Sequence, residues 1–217
     1  MTLRPLIVLS AAAVVALLAA CSSGPPVPDW KLNAQSAMER ATEAYLVGNT
    51  RIETAEFARA RAEVARTGQA TLVARTELAR CATRVASLVF EPCAGFEPLR
   101  ADAAAPERAY ADYLAARLQP ADAALLPPQH RAVAAGGAAI SGIEDPIARL
   151  VAAGVLLQTG RASPAVVAQA VETASAQGWR RPLLAWLGVQ AKLAEQGGDA
   201  AEAERVRRRM ALVGGAP

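Results

Sequence analysis

The sequence predicts an all-α protein made of helix-turn-helix repeats of about 36 residues. From Asp29 onward, helical stretches alternate with Gly or Pro, and no stretch shows the period-two alternation of a β-strand. Aromatic residues make up only 4% of the chain and Ala dominates its apolar residues, so small side chains must pack closely between helices. Gly, Pro and apolar positions also recur about every 36 residues, as in stacked helical repeats.

The first 20 residues have the organisation of a signal peptide. Arg4 supplies the positive charge, residues 6–18 are apolar, and two alanines precede Cys21. The apolar stretch is shorter than the roughly 20 residues that a membrane-spanning helix needs. We therefore expect residues 1–20 to be removed, and they are left out of the predicted fold.

The tetrapeptide Leu18-Ala19-Ala20-Cys21 resembles the lipobox of bacterial lipoproteins. The resemblance implies that Cys21 receives a diacylglyceryl thioether, is cleaved from Ala20 and is then N-acylated. Because each buried CH₂ contributes about 0.8 kcal/mol, two or three acyl chains would hold the protein on a bilayer. Ser22 stands where an inner-membrane retention signal would have Asp, so we expect the periplasmic face of the outer membrane rather than the inner membrane. A plain secretory signal with an incidental cysteine is the alternative.

The chain after the signal peptide is predicted to form one domain on a short spacer. Residues 21–29 comprise the lipidated Cys21 and a tether whose three prolines disfavour a helix. Residues 30–217 are of the size of a single helical domain. The repeats are clearest over residues 110–145, 146–181 and 182–217.

The first two predicted helices form a hairpin. Asp29 can cap a helix that runs to about Val47, and Gly48 is suited to its left-handed end. The segment Thr50-Arg51-Ile52-Glu53 is a capping box that opens a second helix, which ends at Gly68.

The repeat period is read from glycines, prolines and large apolar residues at constant offsets. The positions that share the 36-residue spacing include Gly142, Gly178 and Gly214; Pro92, Pro128 and Pro164; and Leu78, Leu114, Leu150 and Trp186.

The last two repeats have the clearest helix boundaries. Asp145-Pro146 opens a helix that runs to about Gln158, and Ser163-Pro164 opens a second that ends at Gly178. Pro182 begins a third helix, and Asp199-Ala200-Ala201-Glu202 caps the last. The segment AWLGVQAKLAEQGGDAAEAERVRRRMALV resembles tetratricopeptide-like repeats, which implies a helical solenoid over about residues 110–217.

Cys81 and Cys93 are the cysteines left after Cys21, and an exported protein meets an oxidising compartment. A disulfide between them would contribute about 3 kcal/mol through the unfolded state. Its Cα separation of roughly 4.4–6.8 Å requires the preceding helix to end early, near Val85 to Leu88. Two buried free thiols are the alternative, and two sulfurs without a nearby His are too few for a metal site.

The sequence favours a protein that is not an enzyme. His130 is the single histidine, and its place after Pro127-Pro128-Gln129 at a helix start predicts a surface side chain without a catalytic role. Nucleophile-elbow, metalloprotease and phosphate-loop motifs are missing from the sequence, so no cofactor or metal is expected. The net charge is only +3, and positive and negative residues are interleaved along most of the chain, which argues against nucleic-acid binding.

Two groups of residues are candidates for partner binding. Trp179, Arg180 and Arg181 lie between repeat helices, and Trp and Arg are frequent in binding hot spots. Trp179 packing on its own turn is the alternative. The terminal helix carries Arg205 and Arg208, with further arginines beside them, which could meet an acidic partner or lipid head groups. A solvated face that caps the solenoid is the alternative.

These observations predict a lipid-anchored, non-catalytic scaffold that binds a protein partner in the cell envelope. Helical solenoids bind partners on concave surfaces without chemistry, which agrees with the lack of a reactive motif. The rival is an envelope enzyme or small-ligand carrier that uses the region from Cys81 to Arg100. A deep apolar cavity with converging polar groups would favour this rival, and a shallow groove would favour the scaffold.

Overall fold

The computed structural model describes residues 26–215, which form helices and connecting segments without a β-strand. The predicted signal peptide and Cys21 lie outside the described residues. The α-helices are α1 (Asp29–Val47), α2 (Thr50–Ala65), α3 (Ala70–Ala86), α4 (Ala105–Leu114), α5 (Pro128–Ala134), α6 (Pro146–Gln158), α7 (Pro164–Ala176), α8 (Arg180–Gln196) and α9 (Ala200–Gly214). Short 3-10 helices span Glu97–Leu99 and Pro120–Leu125. Among these helices, none is both long and apolar enough to cross a membrane.

The predicted hairpin of α1 and α2 is confirmed, with a correction to its caps. Gly48 ends α1 with φ of 93°, a left-handed conformation that glycine adopts without steric cost. Asn49, rather than Thr50, caps α2, and its side chain accepts a hydrogen bond from the Ile52 amide. Asp29 is the first residue of α1 and makes no side-chain cap.

The helix boundaries predicted over residues 145–214 are largely confirmed. Asp145, Ser163 and Asp199 each accept a hydrogen bond from the backbone amide three residues later, which starts α6, α7 and α9. Helix α8 begins at Arg180, two residues before the predicted Pro182. A periodic repeat is not confirmed over residues 110–145, where the end of α4, a 3-10 helix and the seven-residue α5 replace a two-helix unit.

Helices α3 and α6 pack closely at the centre of the core. Gly154 of α6 lies so near α3 that a Cβ atom there would be 2.6 Å from the Val85 carbonyl oxygen. Trp186 of α8 is fully buried, as its predicted core position requires, and its indole nitrogen donates to the Ala86 carbonyl at 3.1 Å. The C-terminal end of α3 therefore serves as a packing surface for both α6 and α8.

The predicted disulfide joins α3 to the loop that follows it. Cys81 and Cys93 are bonded with their Cα atoms 5.9 Å apart. Helix α3 ends at Ala86, within the predicted interval, and Leu88 takes a positive φ of 60° as the chain turns back. This turn brings Cys93 beside α3 and fixes the start of the loop that leads to α4.

A line of contacts connects the start of α8 to the end of α1. The Arg181 guanidinium donates to the Tyr45 carbonyl at 2.7 Å and lies 4.4 Å from the Tyr45 ring centroid. The Trp179 indole nitrogen donates to a Glu43 carboxylate oxygen at 3.2 Å. These contacts join residues that are 136 positions apart in the sequence.

Candidate functional site

A cavity of about 600 Å³ lies between α3, α4, α5 and α6. Its volume falls within the range of small-molecule binding sites. Helix α3 supplies much of its floor, and the proline-rich segment before α5 also lines it. The apolar residues that line it include Leu78, Ala82, Leu126, Pro127, Ile147 and Val151.

Polar side chains from several helices line this cavity, and they include Arg75 and Arg131 as well as the four described next. Glu107 and Tyr110 are three residues apart on α4, so they lie on the same helix face. His130 comes from α5, and Asp145 is the capping residue of α6. Two carboxylates, a phenol and an imidazole therefore converge on a mainly apolar space.

His130 is buried, which corrects the predicted surface position. The residue is 1% exposed, and its ring lies 5.7 Å from the Tyr110 ring and 5.0 Å from the Tyr113 ring, measured between centroids. Its Nδ1 atom is 3.4 Å from the Tyr113 hydroxyl. Burial lowers the pKa of His130 to about 4, although the nearby Asp145 carboxylate opposes part of this effect. The imidazole is therefore neutral at neutral pH.

The two tyrosines beside His130 are also neutral. Burial raises the pKa of Tyr110 and of Tyr113 above the ordinary value, and the Asp145 charge raises that of Tyr110 further. A hydroxyl with a raised pKa is a poor nucleophile at neutral pH. The aromatic side of the cavity consequently offers ring faces and neutral hydrogen-bonding groups.

Glu107 has one carboxylate oxygen that lacks a partner. The residue is 5% exposed, and its Oε1 atom accepts a hydrogen bond from the Arg75 Nε atom at 2.5 Å. Its Oε2 atom is buried without any hydrogen-bond partner among the described residues. A buried acceptor without a donor is costly, so a ligand donor that reached this oxygen would be stabilised by it.

A second cavity of about 460 Å³ adjoins the first along α1. The two cavities share Thr42 of α1 and Ile147 of α6. The other residues of the second cavity are Gln35, Met38, Glu39, Glu43, Leu46 and Trp179. We call the combined surface of the two cavities the α1 groove.

Trp179, Arg180 and Arg181, the first predicted partner-binding group, mainly contact the protein itself. Trp179 is 7% exposed, so it is not the exposed hot-spot side chain that the sequence suggests, although it lines the second cavity. The Arg181 guanidinium binds the Tyr45 carbonyl and the Thr50 hydroxyl. The Arg180 guanidinium lies beside Gly48 at the end of α1.

The arginines of α9 are largely paired with neighbouring acids. Arg205 lies 2.6 Å from a Glu202 oxygen, and Arg208 is 4.0 Å from Glu204. Arg207 bonds to Glu195 and to Glu204. These pairs reduce the positive charge that α9 offers to an acidic partner or a lipid surface.

The region from Cys81 to Arg100, expected to serve a ligand carrier, supplies only Ala82 and Thr83 to the 600 Å³ cavity and otherwise lines mainly a smaller one. This cavity of about 220 Å³ is formed by the disulfide, the loop after α3 and residues of α4. The larger cavity at His130 was missed by sequence reasoning because His130 follows two prolines at a helix start. The spacing of Glu107, Tyr110 and Tyr113, three residues apart on one short helix, was the available signal.

Among residues 26–215, no group of three or more His, Cys, Asp or Glu side chains is arranged to hold a metal ion. No protein-family model, curated protein or solved structure matches this chain.

Proposed function

We propose that the protein is a lipid-anchored, non-catalytic scaffold at the periplasmic face of the outer membrane that binds a protein partner through the α1 groove. The observation that carries the proposal is the continuity of the groove. Its two cavities share Thr42 and Ile147 and have mainly apolar walls. Such a concave surface suits an extended segment of a partner.

The proposed anchor is supported by the resemblance of Leu18-Ala19-Ala20-Cys21 to a lipobox. Helix α1 begins at Asp29, eight positions after Cys21, so the helix that forms one wall of the groove follows the tether directly. A partner in the groove would accordingly be held close to the membrane surface.

The non-catalytic role is supported by the surroundings of His130. His130 could serve as a general base only with a nucleophile within reach, and the hydroxyl within hydrogen-bonding distance of its ring belongs to Tyr113, whose pKa is raised. The arrangement is better suited to binding than to proton transfer.

The experiment is cross-linking in cells, followed by affinity purification and mass spectrometry. The native protein is compared with Cys21→Ala, which cannot be lipidated, and with Thr42→Arg, which places a large side chain where the two cavities meet. Asn33→Arg is the matched control, because it puts the same side chain on an exposed position of α1 away from both cavities. Thermal unfolding shows whether each variant is folded.

We expect one stoichiometric envelope partner with the native protein and with Asn33→Arg. Cys21→Ala and Thr42→Arg should both lose it. Recovery of only abundant bystanders, or full retention of the partner by a folded Thr42→Arg, would reject the scaffold proposal.

A second candidate function, binding of a small molecule, is favoured by the 600 Å³ cavity itself. Its converging polar groups are the feature that distinguishes a ligand pocket from a shallow docking groove.

A further inference from the structure

We propose that the 600 Å³ cavity is a binding site for a small organic cation, with an ammonium or amidinium group attached to an apolar body. This inference goes beyond the scaffold proposal, because it concerns a small molecule and needs no protein partner. The cavity brings two carboxylates, two neutral aromatic rings and an apolar floor together in one space.

The carboxylates provide the negative charge. One oxygen of Asp145 caps α6 by accepting from the Ala148 amide at 2.6 Å, and Asp145 has no ion-pair partner within 4.0 Å among the described residues. Glu107 adds a buried oxygen that has no hydrogen-bond donor. An ammonium or amidinium group carries several N–H donors, so it could satisfy both carboxylates at once.

Two arginines line the same cavity, and one of them already pairs with Glu107. Arg75 binds the Oε1 atom of Glu107, and its side chain is 62% exposed. Arg131 is exposed and donates to the Leu126 carbonyl at 2.8 Å. Neither arginine is paired with Asp145, so an organic cation would not compete with a protein cation there.

The aromatic rings favour a cation over a neutral ligand. The Tyr110 and His130 ring centroids are 5.7 Å apart, so one charged group could lie within the roughly 6 Å that a cation–π contact requires of each ring. A neutral imidazole does not repel a cation, and its low pKa keeps it neutral over the physiological range. The floor of Leu78, Ala82 and Val151 would take up the apolar body.

The test is isothermal titration calorimetry of the purified protein at pH 7.5 with three probes of similar shape. 2-Phenylethylammonium carries the cation, 2-phenylethanol is neutral, and 3-phenylpropanoate is an anion. We expect saturable one-to-one binding of the cation. The other two probes should bind with an affinity lower by about tenfold or more, since a charge-assisted hydrogen bond contributes about 1.5–3 kcal/mol.

Two variants and a control locate the binding site. Glu107→Gln and Asp145→Asn keep the side-chain shape, and Asn remains a good helix cap. Each substitution should lower the affinity for the cation by about tenfold. Glu144→Gln removes the same charge from the exposed neighbour of Asp145 outside the cavity and should leave affinity within about twofold. The NMR signal of His130, the single histidine, should shift when the cation is added, which tests the site without a mutation.

Three results would overturn the inference. They are equal affinity for the neutral probe, unchanged affinity in both folded variants, and no response to millimolar cation by calorimetry or by the His130 signal. Any of these with the cross-linked envelope partner retained would reject the cation site alone. Cation binding without such a partner would instead reject the scaffold.

Discussion

The buried His130 should make the folded protein lose stability as the pH falls. The folded pKa of about 4 lies below the ordinary value of 6.5, so below pH 6.5 the unfolded chain binds a proton that the folded protein excludes. Stability is therefore fully present above pH 6.5, decreases as the pH falls towards 4 and levels off below that. The difference between the two pKa values corresponds to about 3 kcal/mol, of which roughly 2.5 kcal/mol is lost by pH 4.5.

The assay is urea denaturation at pH 7.5, 6.5, 5.5 and 4.5. His130→Gln removes the titration and keeps a polar group beside the Tyr113 hydroxyl. Because carboxylates contribute equally to both proteins, the difference between the two proteins isolates His130. The native protein should lose about 2.5 kcal/mol relative to the variant between pH 7.5 and 4.5, which is a large part of a typical free energy of unfolding.

The proton signal of the His130 ring gives a direct check, because the chain has one histidine and the resonance needs no assignment. A tag without histidine must be used for purification. A titration midpoint near 6.5 in the folded protein, or parallel pH profiles for the native protein and His130→Gln, would refute the explanation based on burial.

Three further predictions test the packing, and Gly188→Ala is the control for one of them. Replacing Cys81 and Cys93 together by Ser should lower the free energy of unfolding by about 3 kcal/mol, because the bond closes a loop across a sequence separation of 12 residues. A reductant should destabilise the native protein equally in urea melts, and no effect of the reductant would contradict the bond. Gly154→Ala should cost about 1–3 kcal/mol, because the added carbon would lie 2.6 Å from a backbone oxygen of α3. Gly188→Ala, also within a helix, meets its closest atom only at 4.0 Å and should be neutral or stabilising by up to about 1 kcal/mol, so similar losses at both sites would contradict the close packing. Trp186→Phe should cost about 1–2 kcal/mol through a lost hydrogen bond and a void, and unchanged thermal stability would contradict its core role.

Local chemistry made the helix boundaries predictable. A cap such as Asp145, Ser163 or Asp199 bonds to an amide three residues away, so its effect is contained in a few letters of sequence. The disulfide was similarly predictable from the sequence, because its geometry limits where α3 can end. By contrast, the 36-residue period did not predict the structure of residues 110–145. Prolines at 120, 127 and 128 and the pair Gly136-Gly137 interrupt the chain there, and only short helices form.

The cavity was less predictable, because its polar groups are brought together by long-range packing. His130 follows two prolines in sequence, and its burial depends on Tyr110 and Tyr113 of α4 lying against it. The environment of Trp179 is likewise set by Glu43, 136 positions away. Periodicity identifies the buried face of a helix, but it does not identify which other helix covers that face.

The contact between α8 and α1 has a consequence for how the domain unfolds. In a linear array of repeats each unit touches only its neighbours, so an end unit can fray while the rest stays folded. Here α1, α2, α3, α6, α7 and α8 each contact the next, and α8 contacts α1, so these six helices form a closed circuit. Within this circuit no helix is terminal. A chain cut after α7 would leave the C-terminal end of α1 without Trp179 and Arg181, and truncation should therefore cost more cooperativity than the loss of one hairpin from an open array.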